Sequence, residues 1–471
     1  MELFGRSVIY SDVDAVTDEN VVKVLDKARN AHIVNRSQIQ FLYDYYRGKQ
    51  PILGRIKSVR PEICNRIVEN RANEIVAFKV GYLCGEPVQY VSRKSDDGVS
   101  TAVADLNDMM LSESKATKDK ELIEWQMICG TAFRMVLPDA SGLIDDAPFE
   151  IYTLDPRNTF VIRSSRIGNH VLAAVHYVVD EFNNELYSVY TPTTYYEVKA
   201  REVIKRERHA LKAIPIIEYP ANNARLGAFE TVIPILDAMN TVASNRIDGV
   251  EQFVQSLMKF INCDIDEETF AALQQMGAIK IKSVDGNNAD VQIMTSELNQ
   301  GQTQTLVDHM YQTVLTICGM PNRNGQNSST SDTGAASLLR DGWTLAEARA
   351  KDSELMFKQS ENEMLKLVLA ICRGMSGMDL TLRDIDCKFT RRNYENIQTK
   401  SQVLISMLNN DKIDPRLAFS HCGMFTDSEE AYQISMKWYE EQKAEEERSL
   451  QEELDAERVR SVGQNDPASE Q

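Results

Sequence analysis

Several familiar signatures are missing from this chain. None of its eight cysteines forms a C-x-x-C pair, which removes the usual zinc and dithiol redox sites. Cys64, Cys84, Cys129, Cys263, Cys318, Cys372, Cys387 and Cys422 therefore read as reduced, mostly buried thiols of a protein assembled in a cytoplasm. No G-x-x-x-x-G-K-[ST] cradles phosphate, no G-x-G-x-x-G follows a strand, and neither H-E-x-x-H nor G-x-S-x-G occurs. The six histidines are dispersed, which argues against a metal centre, and no cofactor is called for. No apolar run reaches the roughly 18–20 residues that a membrane span needs, and the N-terminus lacks a basic start followed by an apolar block. Positive charge is also scarce. Lys and Arg number 52 against 70 Asp and Glu, a formal net charge of −18, which opposes tight nonspecific binding of nucleic acid.

What remains is a chain of 471 residues, 43% hydrophobic, long enough for several domains with a real core. Residues 1–60 read as helical and polar, with an aromatic cluster at Phe41 to Gln50. Apolar residues from Ile63 to Val80 recur at helical spacing and predict a helix over 61–80. Two further helices are expected over 102–111 and 114–129. From 131 to 196 the pattern turns to β-branched and aromatic runs split by turns, so the first part is α+β with a mainly antiparallel sheet. From Gly227, apolar residues step by three and four to Ile261, with Asn240 as the polar member. That predicts one amphipathic helix of roughly 33 residues, about 50 Å long. A small insert follows. Its segments AIKIKSV and ADVQIMT flank Asp285-Gly286-Asn287-Asn288, a hairpin signal. A helix over 297–318 comes next, then a polar stretch, then a helix over 335–373 with Gly342 near its start. A short strand at 387–391, helices over 396–408 and from 428, and a charge-dense acidic tail complete the chain.

The polar stretch is GMPNRNGQNSSTSDTG, residues 319–334. Most connections in compact domains run about 4–6 residues, and much longer ones are usually functional or disordered. Asp384 and Asp386, one residue apart, are the only acids with a hint of metal-nuclease chemistry, and they would need partners that the sequence does not supply. A capping or surface role fits them better, and an ion pair fits Arg391-Arg392.

Several segments, in this order and spacing, resemble the portal proteins of tailed bacteriophages, in the branch of long-tailed phages of Gram-positive hosts. They are YYRGKQPILGR (45–55), NRIVENRANEIVAFKVGYLCGEPVQY (65–90), GTAFRMV (130–136), LDPRNTFVI (154–162), the run 214–253, GMPNRNGQNSSTSDTGAA (319–336) and NNDKIDPRLAFSHCGMFTDSEEA (409–431). The resemblance implies an α+β portal fold with an α+β wing (1–226), a helical stem (227–262 and 297–318) and a small α/β clip (263–296). A tunnel loop (319–334), a wing helix with return strand (335–395), a helical crown (396–440) and a partly disordered acidic tail (441–471) would follow. It implies a non-enzymatic, dodecameric ring at one capsid vertex of the virion, assembled in the host bacterial cytoplasm. Double-stranded DNA would pass through it during packaging and ejection. Its partners would be other copies of the chain, the terminase large subunit, a head–tail adaptor, and the major capsid and scaffolding proteins, with no membrane. The loop residues Asn322, Arg323, Asn324, Gly325, Gln326, Asn327, Ser328, Ser329, Thr330, Ser331 and Asp332 would line the channel. Lys280, Lys282, Asp285, Asn287, Asn288 and Asp290 would form the clip docking surface. Two other functions compete: a nucleic-acid-processing enzyme built on Asp384 and Asp386, and a helical scaffold or adaptor that never closes a ring.

Overall fold

Strand β5 (Thr159–Ser164) and strand β6 (Val171–Val179) are buried on both faces, and the two-residue period of a strand explains how. Phe160, Ile162, Ala173 and Val175 face one way, onto the start of helix α1 (Val21–Tyr46). Val161 and Ala174 face the other way, onto Phe133, Met135 and Ile216 of a second sheet. The first sheet runs β1-β5-β6-β7-β8-β9, with β1 at Ile9–Ser11, β7 at Glu185–Tyr190, β8 at Thr194–Lys199 and β9 at Glu202–Arg208. Only the β1–β5 pairing is parallel within it. The second sheet has the order β10-β3-β4, from Ile216–Pro220, Thr131–Pro138 and Phe149–Leu154. The computed structural model describes residues 3–94, 96–139, 147–182, 184–254, 257–261, 290–294, 300–322, 342–391, 397–425 and 427–463.

Helix α1 joins two cores. Val21, Val24, Leu25 and Ala28 cover the six-stranded sheet, whereas Ile39, Leu42 and Tyr45 enter the main core. That core gathers α2 (Arg71–Leu83), α3 (Asp97–Ser112), α4 (Lys115–Cys129), the three-stranded sheet, and parts of α5 (Ile233–Val254), α6 (Gln300–Cys318) and α7 (Trp343–Met375). A two-stranded sheet pairs β2 (Gln89–Ser92) with β13 (Ile385–Lys388), and another pairs β11 (Leu257–Ile261) with β12 (Asp290–Met294). Helices α8 (Ile397–Leu408), α9 (Pro415–Cys422) and α10 (Ser428–Gly463) end the described chain.

The mixed helix-and-sheet class matches the α+β expectation. Several elements differ from the expectation. The helix expected over 61–80 begins only at Arg71, because Asn70 is left-handed at φ 49° and residues before it run extended. The helix expected to continue to 262 ends at Val254, and the chain then forms β11. Leu257-Met258-Lys259-Phe260-Ile261 fits either period, and a partner strand decides the outcome. That partner is 290–294, so the strand of ADVQIMT pairs with 257–261, whereas 278–284 lie outside the described residues. Strand β9 leaves no periodic signal in the sequence, because EVIKRER is exposed along its whole length and carries no core face. Its charges suit the edge it occupies.

Candidate functional site

Two glycines set where α5 leaves the sheet region. Gly130 ends α4 at φ +79°, and a Cβ there would sit 2.1 Å from the Arg225 carbonyl oxygen. A Cβ on Gly227 would sit 2.4 Å from the carbonyl oxygen of Ile128. The two backbones therefore cross in direct contact, closed by the Ala228 amide donating to Met127 O at 2.7 Å. Glu230, buried just beyond, accepts from the Gly227 amide at 2.9 Å, the Gly5 amide at 3.1 Å and the Arg6 guanidinium at 2.6 Å. Helices α5 and α6 pack antiparallel. The Cys318 thiol lies 3.6 Å from Ala228 O at one end, and Arg246 donates to Gln304 at 2.8 Å toward the other.

The polar stretch starts from a firm stop at the end of α6. The Gly319 amide donates to Thr316 O at 3.2 Å, and the Met320 amide reaches back to Leu315 O at 2.8 Å. With Gly319 at φ +66° and Met320 and Leu315 both buried, this is a Schellman ending with its apolar contact. Helix α7 begins after Gly342, at φ +81°, and Trp343 packs on Phe78 and Tyr82 of α2. A Cβ on Gly342 would stand 3.8 Å from Pro321 Cα, so the chain leaves and returns at one place. Asn322 is half-buried at that base. Arg323, Asn324, Gly325, Gln326, Asn327, Ser328, Ser329, Thr330, Ser331 and Asp332 lie outside the described residues, as do 335–341. So do Lys280, Lys282, Asp285, Asn287 and Asn288, whereas Asp290 opens β12 opposite Ile261.

A polar seam on α5 was only half visible in the sequence. Asn240, Ser244 and Asp248, spaced by four, are all buried. Each receives a backbone amide from the extended strap before α2. Glu69 donates to Asn240 Oδ1 at 3.0 Å, Ile67 to Ser244 Oγ at 2.9 Å, and Asn65 to Asp248 Oδ1 at 2.8 Å. Four helical residues rise about 6 Å and two extended residues about 6.6 Å, so the two periods mesh. Asp248 also binds Lys57 and Arg55, both at 3.1 Å. The signal available beforehand was the i, i+4, i+8 polar row inside an apolar stripe, of which only Asn240 stood out.

Deeper in, four charged side chains are enclosed together. Lys115 Nζ lies 2.6 Å from Asp119 and 2.8 Å from Glu361, while Arg134 lies 2.6 Å from Asp119 and 3.5 Å from Glu361. Tyr90 and Tyr219 donate to the two oxygens of Glu361 at 2.5 and 2.7 Å. Burial alone would raise the Glu361 carboxyl, but Lys115 and Arg134 outweigh it and hold it down to about 2. The cluster ties α7 to α4, β2, β3 and β10.

The paired acids near the return strand have structural partners. Asp384 forms a capping box with Thr381 and an ion pair with Lys94 at 2.5 Å; the Lys94 bond first, then Thr381, depress its carboxyl to about 2. Asp386 meets Lys388 at 3.0 Å and Arg93 at 3.6 Å. Among the described residues, no group of three or more His, Cys, Asp or Glu is placed to hold a metal. Arg391 pairs with Glu347 and Glu354, while Arg392 lies outside the described residues.

Against known protein families, residues 25–453 match the phage portal protein, SPP1 Gp6-like. The chain belongs to that portal protein family. The match runs from α1 into α10 and so takes in the helix pair, the polar stretch and every described strand except β1. No curated protein matches the chain. A solved structure, the neck of an empty GTA particle computed with C6 symmetry, matches at 10% identity with a TM-score of 0.43, covering 75% of this chain and 90% of that one. The family match over 25–453 bears out the resemblance to phage portal proteins. This portal protein is a virion component, and no helix among its described residues is long and apolar enough to cross a membrane.

Proposed function

We propose that this portal protein forms a closed, dodecameric ring at one capsid vertex. DNA would enter through it during packaging and leave through it at ejection, and the ring would not itself catalyse a reaction. The carrying observation is the family match over 25–453, taken with a polar excursion that leaves and returns at one place beside the α5/α6 pair. In this reading α5 and α6 form the stem, 263–296 the clip, 319–334 the tunnel loop, and 396–440 the crown. The clip residues Lys280, Lys282, Asp285, Asn287, Asn288 and Asp290 would receive the terminase large subunit and later the head–tail adaptor. The crown would face the capsid interior, and the rim would meet major capsid and scaffolding proteins.

The loop chemistry suits a compliant collar. Asn, Gln, Ser and Thr from 322 to 331 offer weak, replaceable hydrogen bonds to phosphate and water. Arg323 is the only fixed positive charge there, offset by Asp332. Each copy carries −18, so a ring multiplies an acidic excess that repels the DNA backbone and lowers friction. Replacing 323–332 by a Gly–Ser segment of equal length tests the reading. Rings should still assemble, and the yield of DNA-filled heads should fall. Unchanged packaging would remove the loop from the mechanism, and tight binding of duplex DNA by the wild-type ring at about 150 mM salt would remove the low-friction idea.

A further inference from the structure

The strap and the helix pair present two unlike surfaces on opposite flanks of α5. The strap is anchored on the row 240, 244 and 248, whereas Met239 and Arg246 point into a groove between α2, α5 and α6. At 3.6 residues per turn, the two directions differ by about 150° around the helix axis.

The strap's outer side is a knob. Ile56 is 86% exposed and Val59 is 74% exposed, with Leu53 half exposed beside them. Within residues 51–66, Arg55 and Lys57 turn inward onto Asp248, which leaves Arg60 and Arg66 as the outer cations against the single acid Glu62. The opposite flank is a hole of about 710 Å³ with an apolar floor of Phe78, Met239, Val307, Leu315 and Met320. Its rim holds three acids, Glu69, Glu74 and Asp308, against Arg71 and Arg246. Val250, which shares the groove side of α5 with Met239 and Arg246, extends the apolar surface and is about half exposed.

We propose that the strap knob of one copy seats in the α2/α5/α6 groove of the next. A basic, apolar protrusion and a net acidic, apolar-floored groove on opposite flanks of one helix make a head-to-tail contact, the kind that closes rings. Exposed aliphatic side chains flanked by charge mark such surfaces. The seam of Asn240, Ser244 and Asp248 then has a purpose beyond folding: it holds the knob at a set height on α5. This inference rests on the ring reading above, and the experiment separates the two.

Two forms of the full chain are co-expressed, one Ile56→Cys and one Val307→Cys, and treated with a short bis-maleimide. A cross-linked dimer is expected from the mixture and not from either form alone. In parallel, Ile56→Asp/Val59→Asp should lower the ring fraction in native mass spectra by more than about tenfold, since burying two aliphatic groups is worth several kcal/mol. Both residues are exposed, so circular dichroism of the subunit should stay as in the wild type. Wild-type rings without the mixed cross-link, or full ring yield in the double Asp variant, overturn the knob-and-groove contact alone. An intrachain link between Val307→Cys and Leu338→Cys would show the groove filled by the chain's own 335–341 segment and would overturn it as well. A wild-type chain that forms no ring overturns both readings.

Discussion

Glu361 keeps its charge in complete enclosure because two cations and two phenols meet its carboxylate. Breaking a buried pair by removing one partner leaves an uncompensated charge, at about 3–5 kcal/mol. Glu361→Ala should therefore lower unfolding free energy by roughly that amount in urea titrations, with Lys115 and Arg134 left to share Asp119. The pH dependence has a definite sign. The folded carboxyl lies near 2 and the ordinary value is 4.5, so its contribution is complete above about 4.5 and is lost as pH falls toward 2. Acid unfolding of the wild type should be steep in that window and shallower for Glu361→Gln. None of this was legible in the sequence. Arg134 sits in AFRMVLP as one charge in a strand, and nothing local says that its partners arrive from α4 and α7.

At the scale of elements, the strap is held by amides given to three side chains, so each side chain is a separate handle. Ser244→Ala removes the acceptor for Ile67 and leaves a donor unsatisfied, costing about 1–3 kcal/mol. Hydrogen exchange at Ile67 should quicken while exchange in the β6 ladder stays unchanged. Gly130→Ala combines a positive φ with backbone overlap at 2.1 Å, and soluble expression should collapse. The β8–β9 turn offers a gain. Ala200 and Arg201 both adopt positive φ, at 50° and 67°, where Asn-Gly is preferred. Ala200→Asn/Arg201→Gly should raise the melting temperature, with about 1 kcal/mol added, because an ordinary L-residue in the left-handed region costs about 1–2 kcal/mol. The elements with a clear period were legible: α3, α4 and strands β3 to β7 fall close to where the pattern put them. The misread ones share a cause. Residues 63–69 have helical apolar spacing, but α5 takes their amides into an extended docking, and a sequence window does not contain α5. At 257–261 a partner strand at 290–294 replaces the last turns of the expected helix.

For the whole molecule, the polar stretch was legible as an anomaly of length and composition, and the family was legible in the order of seven segments, now matched over 25–453. The firm stops at Gly319 and Gly342 add what composition does not carry, a fixed base from which the loop departs. The central claim is that copies of this chain close into a ring with a passage for DNA. Negative-stain electron microscopy with native mass measurement on the purified protein tests it most directly. Closed rings of about twelve subunits around a central hole are expected. A compact monomer or dimer that persists when the chain is co-expressed with its capsid and scaffolding proteins would contradict it.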